Sequence, residues 1–491
     1  MELREVLDGV RAEVEGDPAV EIRDLAYDNR RVQPGTLFFC VPGATADGHD
    51  FAPAALEAGA AALVTERRLG LGVPEVLTGD VRAAMAPAAA SFFGDPTADL
   101  PVIGITGTNG KTTTAFLVRH ILERAGTPSG LLGTVKSVIG GVESEVERTT
   151  PEAIDLQRIF RQMLDCGDRA CAMEVSSHAL TLRRAASIRF AATIFTNLTQ
   201  DHLDFHADMD EYFEAKLRLF TEWPEAMAVV NVDDPYGARI AAERVAGLIT
   251  YSGAGADGAD LRATDVEFDA AGSRFNLVAG GETHAVRAPL PGHFNVENAL
   301  AAIGAATALG VDHAAAAGAL ADADQVPGRL EPIIEGQPFA VLVDYAHTPD
   351  SLENVLAAAR RLTAEPGRVI CVFGCGGDRD RKKRPLMGAI ADRLADVCVV
   401  TSDNPRSEDP EAILGEIVAG MRSRPGMRVE VDRRAAIRLA LEEAGAGDTV
   451  VIAGKGHEQG QEFEASRKLP FDDRDVARDE LRALAGATAG N

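Results

Sequence analysis

Short runs of apolar, often β-branched residues alternate along the chain with stretches whose apolar positions recur at helical spacing. Near the start, residues 36–41 read as a buried strand, 54–62 as a short helix and 61–65 as the next strand. Residues 102–106, 170–175, 192–196 and 228–232 predict strands separated by helices, the pattern of a mostly parallel sheet with helical crossovers. Between about 260 and 290 the period shortens to alternating strands, an antiparallel insert, and an alanine-rich helix follows over 296–309. A second α/β series places strands at 339–344, 369–373, 397–401, 429–431 and 449–453, and residues 485–491 read as a loose tail. Turn residues at Gly94-Asp95-Pro96-Thr97 and Val326-Pro327-Gly328-Arg329 divide the chain into three α/β domains, 1–97, 98–327 and 328–491.

Charge narrows the partners. With 49 basic against 75 acidic residues the net charge is −26, which argues against nucleic acid or anionic lipid. No run approaches the roughly 18 apolar residues of a membrane span. Met1-Glu2-Leu3-Arg4-Glu5 lacks the basic-then-apolar order of a secretory signal, so a cytoplasmic protein is predicted. The six cysteines show neither zinc nor redox spacing and read as reduced thiols.

The chemistry collects at strand ends. The strand 102–106 runs into Gly107-Thr108-Asn109-Gly110-Lys111-Thr112-Thr113 and then a helix. Backbone N–H groups at such a turn favour a polyphosphate, with Lys111 reaching its terminal phosphates and the Thr112 hydroxyl available to Mg²⁺. Ile105 stands where the standard phosphate loop has glycine. Glu174 ends one neighbouring strand and His202 follows another, and both are candidate Mg²⁺ ligands. Three C-terminal strands end in polar turns that place Arg379, Asp403, Arg406 and Glu458 on one rim. Two cations and two carboxylates there suit a ligand carrying both amine and carboxylate, or else a solvated salt-bridge network. By spacing alone, Lys216 reads as a surface lysine.

Taken in order, these motifs resemble a known family. The chain is similar over all three predicted domains to the ATP-dependent Mur ligases of peptidoglycan synthesis. The likeness rests on the phosphate loop, Glu174-Val175-Ser176-Ser177-His178, Asp201-His202-Leu203-Asp204, Gly292-His293-Phe294-Asn295-Val296-Glu297-Asn298 and Pro327-Gly328-Arg329. It continues through Asp344-Tyr345-Ala346-His347-Thr348-Pro349, Asp403-Asn404-Pro405-Arg406 and Gly454-Lys455-Gly456-His457-Glu458. The resemblance implies a small α/β uridine-binding domain, a central P-loop domain with a mostly parallel sheet that binds ATP, and a Rossmann-like C-terminal domain that binds an amino acid.

It also implies a ligase working through an acyl phosphate, with Mg²⁺ as cofactor, ATP as co-substrate and UDP-N-acetylmuramoyl-L-alanyl-D-glutamate as acceptor. A monomer with no nucleic-acid partner and no membrane span is implied as well. Family likeness makes Lys111, Glu174, His202 and Lys216 catalytic, and carries Gly107, Thr108, Asn109, Gly110, Thr112, Thr113, Asn295, Asn298, Arg329 and Asp344 into ATP contacts. Thr112, Glu174, His202 and Lys216 would serve metal, the lysine as a carbamate formed with carbon dioxide. Asn29, Thr149, Thr150, Ser176 and Arg184 match the contacts to the UDP-muramoyl dipeptide.

Arg379, Asp403, Asn404, Pro405, Arg406, Gly454 and Glu458 match the amino-acid site in its meso-diaminopimelate form, with Arg406 for the distal carboxylate. L-Lysine is the alternative amino acid. A non-catalytic muropeptide-sensing protein on the same fold is the alternative from another class, although Lys111, Glu174 and His202 are all present. Three positions depart from the family pattern: Asn29 in place of serine, Leu182 in place of glutamine, and Lys382 in place of glycine.

Overall fold

The computed structural model describes the chain except residues 44, 45, 147, 244–246, 423, 424, 465, 466, 490 and 491, together with the side chains of 487–489. Two compact units emerge. One comprises Met1–Thr106, Gly126–Thr193 and Ala215–Met227, and the other Gly107–Ala125, Ile194–Glu214 and Ala228–Asn491.

In the first unit a five-stranded sheet runs Glu13–Glu15, Glu75–Leu77, Ala60–Thr65, Thr36–Phe39, Asp24–Ala26, parallel except for its first pair. Leu37, Phe39, Val64 and Val76 from one face pack with Leu3, Val6 and Met85 into a core. The predicted helix 54–62 is Ala52–Glu57, because Gly59 turns the chain at φ +104, where an added methyl would collide with Pro34. The strand Ala60–Thr65 starts directly after it. Also in this unit, Ala170–Glu174 lies between parallel neighbours Val102–Thr106 and Ser129–Leu132, with an antiparallel hairpin, Ser137–Ile139 and Val142–Ser144, beyond. The turn at Gly94–Thr97 exists, with Asp95 in the left-handed region, and it lies inside this unit.

In the second unit the helix Lys111–Arg124 packs along the alanine-rich His293–Ala308, where small side chains let two helices approach closely. The predicted antiparallel insert is the meander Leu261–Asp269, Gly272–Ala279, Glu282–Ala288. Further on, a six-stranded sheet runs Glu331–Pro332, Ala340–Asp344, Thr449–Ala453, Val369–Phe373, Val397–Val400, Met427–Val429, parallel apart from its first pair. Its central strands are apolar on both faces, as a doubly covered parallel sheet requires. Cys371 and Phe373 face a core with Leu352, Leu356, Met387 and Ile413. Ile370 and Val372 face the opposite one, with Ile437, Leu441, Val476 and Leu481.

Three readings of the sequence need correction. The strand predicted at 429–431 is Met427–Val429, and an unpredicted hairpin pairs Gly460–Phe463 with Arg467–Pro470. The tail is helix from Asp473 to Ala489, because Val476, Ala477 and Leu481 bury against the sheet, and residues 490 and 491 lie outside the described residues. Its first turn supplies Asp473, fully buried against the fully buried Arg433 with contacts of 2.8 and 2.7 Å. Removing one partner of a buried pair strands the other's charge. Asp473→Ala is therefore expected to lower the unfolding free energy by about 3–5 kcal/mol in urea denaturation. A loss under about 1 kcal/mol would show that this pair is not the clamp its burial indicates.

Candidate active site

The phosphate loop is shaped by what its glycines avoid. Gly107 and Gly110 have φ of +152 and +86, and a methyl on either would overlap Thr196 Oγ1 or Asn298 Oδ1 respectively. The segment after Phe195 straps the loop down. Asn197 accepts from the N–H groups of Thr108 and Asn109, both at 2.9 Å, and Thr196 Oγ1 donates to Asn109 O at 2.6 Å. Lys111 folds back so that its ammonium donates to the Gly107 and Thr108 carbonyls, each at 2.8 Å. Thr113 is buried in the first turn of the following helix.

The other ATP candidates gather here. Asn298 sits against Gly110, accepts from Thr114 Oγ1 at 3.3 Å and donates to Asn295 Oδ1 at 3.1 Å. Both asparagines are buried, so in this structure they brace the loop and the helix behind it. Arg329 donates to Thr112 Oγ1 at 3.0 Å and stacks over the Tyr345 ring at 4.6 Å. Asp344 accepts from the N–H groups of Leu330 and Ala346, fixing the turn that carries Arg329, while burial pushes its carboxyl pKa upward. Asn109 reaches Asp350 at 2.7 Å.

His202, at φ +56, lies 3.5 Å from Asp201, and His347 approaches the same carboxylate oxygen at 3.7 Å. Burial works against the charge on Asp201, but these imidazoles outweigh it and hold its carboxyl well below the usual range. The His202 ring stands edge-on to Tyr212, whose hydroxyl bonds to Thr108.

In the first unit Glu174 is buried at its strand end, its two oxygens accepting from Thr134 N at 2.7 Å and Thr134 Oγ1 at 3.1 Å. The dipeptide candidates converge beside it. Thr149 bonds to Thr134, Thr150 Oγ1 donates to Glu174 O, and Ser176 N donates to Thr150 Oγ1. Arg184 donates to Thr150 O at 3.2 Å. Arg184 also pairs with Glu152, a buried carboxylate that draws in Arg82 and Arg148 as well. Three guanidiniums on one carboxylate leave an excess of positive charge, and this cluster was not apparent from sequence spacing.

A cavity of about 630 Å³ extends from Asp28, Arg30 and Arg31 to Arg148, Thr149 and Glu152, so Asn29 lies in the turn at one end of it. Lys216 is only 1% exposed, not the solvated lysine that spacing predicts. Leu182 ends the helix Ser177–Thr181. Lys382 has φ −65 and ψ −25, a conformation open to any residue, so glycine is not needed there.

In the C-terminal part of the second unit the predicted rim is assembled around a cation the sequence reading left out. Lys455 is fully buried, and its ammonium donates to Asn404 Oδ1 at 2.8 Å and Glu458 Oε2 at 2.9 Å, with Asp403 at 3.9 Å. Asn404 Nδ2 also donates to Glu458, at 2.9 Å. Burial opposes the charge on Asp403, yet Lys455 and Arg433 hold its carboxyl below the ordinary value. A methyl on Gly454, at φ +119, would press on Asp403 Oδ2. Arg406, after Pro405, pairs with Glu462, and Arg379 is exposed and donates to its own loop at Asp378 O. Gln461 and Glu462, on the unpredicted hairpin, were the residues hardest to foresee.

Family models match residues 21–91 (Mur ligase family, catalytic domain), 105–306 (Mur ligase middle domain) and 328–456 (Mur ligase, glutamate ligase domain). A protein of Syntrophomonas wolfei is 47% identical over 98% of this chain and 99% of its own. The chain belongs to the Mur ligase family. It is an α/β ligase of that family, similar to the Syntrophomonas protein and to one of Streptomyces coelicolor, 48% identical over 96% of this chain and 94% of that one. Both relatives are named UDP-N-acetylmuramoyl-L-alanyl-D-glutamate–2,6-diaminopimelate ligase. A solved structure of a ligase with that name matches with a TM-score of 0.69 and 34% identity, covering 99% of both chains.

The loop beside Arg406 carries a pH dependence. Arg384, fully buried, donates to Glu408, Glu416 and Gly376 O, and its guanidinium brings the Glu408 carboxyl down to about 2. A depressed folded-state pKa stabilises above the unfolded value of 4.5 and is lost as pH falls toward about 2. Glu408→Gln is expected to narrow the gap in unfolding free energy between about pH 6 and pH 3. An unchanged gap would remove Glu408 from the acid response.

Proposed function

We propose that this Mur ligase joins meso-2,6-diaminopimelate to the D-glutamate of UDP-N-acetylmuramoyl-L-alanyl-D-glutamate at the cost of ATP, in peptidoglycan precursor synthesis. The observation that carries this reading is the 47–48% identity, over nearly the whole chain, to relatives bearing that name. The rim geometry supports it: Arg406 and Arg379 offer guanidiniums to carboxylates, and Asp403 and Glu458 offer acceptors to ammonium groups. We assign residues 1–97 to the UDP-sugar, 98–327 to ATP and 328–491 to the amino acid. The reaction belongs in the cytoplasm, where ATP is available. Among the described residues no helix is long and apolar enough to cross a membrane.

The D-glutamate side-chain carboxylate attacks the γ-phosphate and ADP leaves. The incoming amine then attacks the acyl phosphate and expels phosphate. The enzyme's share is positioning and charge stabilisation. Lys111 exchanges its two loop carbonyls for phosphate oxygens, with Arg329 beside Thr112 as a second cation. Thr149, Thr150, Ser176 and Arg184 hold the dipeptide and its muramoyl group. Thr112, Glu174, His202 and a carbamylated Lys216 are the residues we assign to hold magnesium, and Glu174 already has both oxygens fixed by Thr134. When bound, the metal neutralises charge on the transferring phosphoryl group. Burial of Lys216 sets it apart from an ordinary surface lysine.

The test is phosphate release with ATP, Mg²⁺ and the UDP-muramoyl dipeptide across a panel of amino acids. Turnover is expected with meso-diaminopimelate, and with L-lysine at least about 30-fold less efficiently, the loss from leaving Arg406 without its carboxylate. Equal turnover with lysine would defeat the specificity, and turnover without dipeptide would defeat the ligase reading. Lys216→Ala should still bind ATP yet lose at least about 100-fold in turnover, the scale of a misplaced phosphoryl-transfer site. Near-normal activity without added short acids would remove the lysine from catalysis.

A further inference from the structure

Arg406 is held from several directions. Its backbone lies at φ +51, uncommon for a residue with a side chain. The strand Gly460–Phe463 ties it and its loop in place: Arg406 N donates to Glu462 O at 3.1 Å, and Glu462 N donates to Asn404 Oδ1 at 2.9 Å. The side chains meet as well. Arg406 Nε donates to Glu462 Oε2 at 2.9 Å, while Nη1 donates to Gly377 O at 2.7 Å. A methyl on Gly376 would crowd that same Nη1.

A guanidinium grips a carboxylate bidentately along either its Nε–Nη edge or its Nη1–Nη2 edge. With Nε committed to Glu462 and one Nη1 proton to Gly377 O, the guanidinium has its second Nη1 proton and Nη2 left for a ligand. A free arginine side chain samples many rotamers, and one fixed at two nitrogens has already lost that freedom before ligand arrives. Glu462 is 38% exposed and Arg406 21%, so water screens the pair and its charge matters less than its geometry.

We propose that Glu462 is a positioning residue that sets the amino-acid preference of this ligase. It touches no substrate; it aims Arg406 at the distal carboxylate that diaminopimelate has and lysine lacks. The proposal rests on the assignment of Arg406 to that carboxylate. Glutamine at 462 keeps an acceptor at the same place without the charge, whereas alanine removes both, so the two variants separate aim from charge.

The experiment measures KM for meso-diaminopimelate, L-lysine, ATP and the UDP-muramoyl dipeptide in wild type, Glu462→Ala and Glu462→Gln. Glu462→Ala is expected to raise the diaminopimelate KM about tenfold, the scale of one weakened charge-assisted grip, and to leave the other three KM values in place. Glu462→Gln is expected to restore the diaminopimelate KM to within about twofold of wild type. A diaminopimelate KM unmoved by alanine would overturn the proposal, as would an equal rise for lysine, which marks a general loosening of the loop. Failure of glutamine to restore it would show charge, not aim, at work and also overturn it. A wild-type enzyme with no preference for diaminopimelate would sink the Arg406 assignment itself, and that is visible before any variant is made.

Discussion

A cation can be buried only where carboxylates and carbonyls surround it, because its hydration is otherwise lost without return. Arg384, Arg433 and Lys455 are among the largest fully buried side chains of this strongly acidic chain, and each meets that condition. Arg433 joins Asp473 to the carbonyls of Ser402 and Ala453, the points where two central strands give way to functional loops. Arg384 fixes the loop after Phe373 through Gly376, and Lys455 gathers Asn404 and Glu458. Each of the three strand ends on this rim is thus tied down by a buried cation with partners of its own.

Much of this architecture was legible in the sequence. The apolar strands Val369–Phe373 and Thr449–Ala453 fall where hydrophobic patterning puts them, because a parallel sheet covered on both faces leaves an unbroken apolar run. The phosphate loop was equally plain, since its glycines are demanded by backbone conformation and by close neighbours. Tertiary facts were hidden. Nothing in local spacing marks Lys216 or Lys455 as buried, and the strand bearing Gln461 and Glu462 is only four residues long. The helix from Asp473 was missed because its alanine-rich end looks like a tail until Leu481 finds the core.

Several residues that family likeness assigns to nucleotide are, in the protein alone, parts of a brace. Asn295 and Asn298 support Gly110 from behind, and Asp344 sets the turn from which Arg329 reaches Thr112. Binding and bracing are compatible, because a loop that must accept phosphate through its backbone needs its shape fixed by groups outside it. The Lys382 departure is neutral for the same kind of reason: the backbone there asks nothing special of the residue.

The rim also has an arithmetic of its own. Arg406 pairs with Glu462 and Lys455 with Asp403 and Glu458, and Arg379 lies exposed nearby on its own loop, three positive groups to three negative. The molecule as a whole, at −26, draws cations from a distance. A balanced rim casts little field of its own, so a cationic amino acid gathered by the long-range potential gains no further electrostatic advantage on arrival. Encounter then favours lysine while retention favours a zwitterion with two carboxylates. The preference of the site is accordingly written in dissociation rates, and ionic strength should speed or slow arrivals without changing which guest stays.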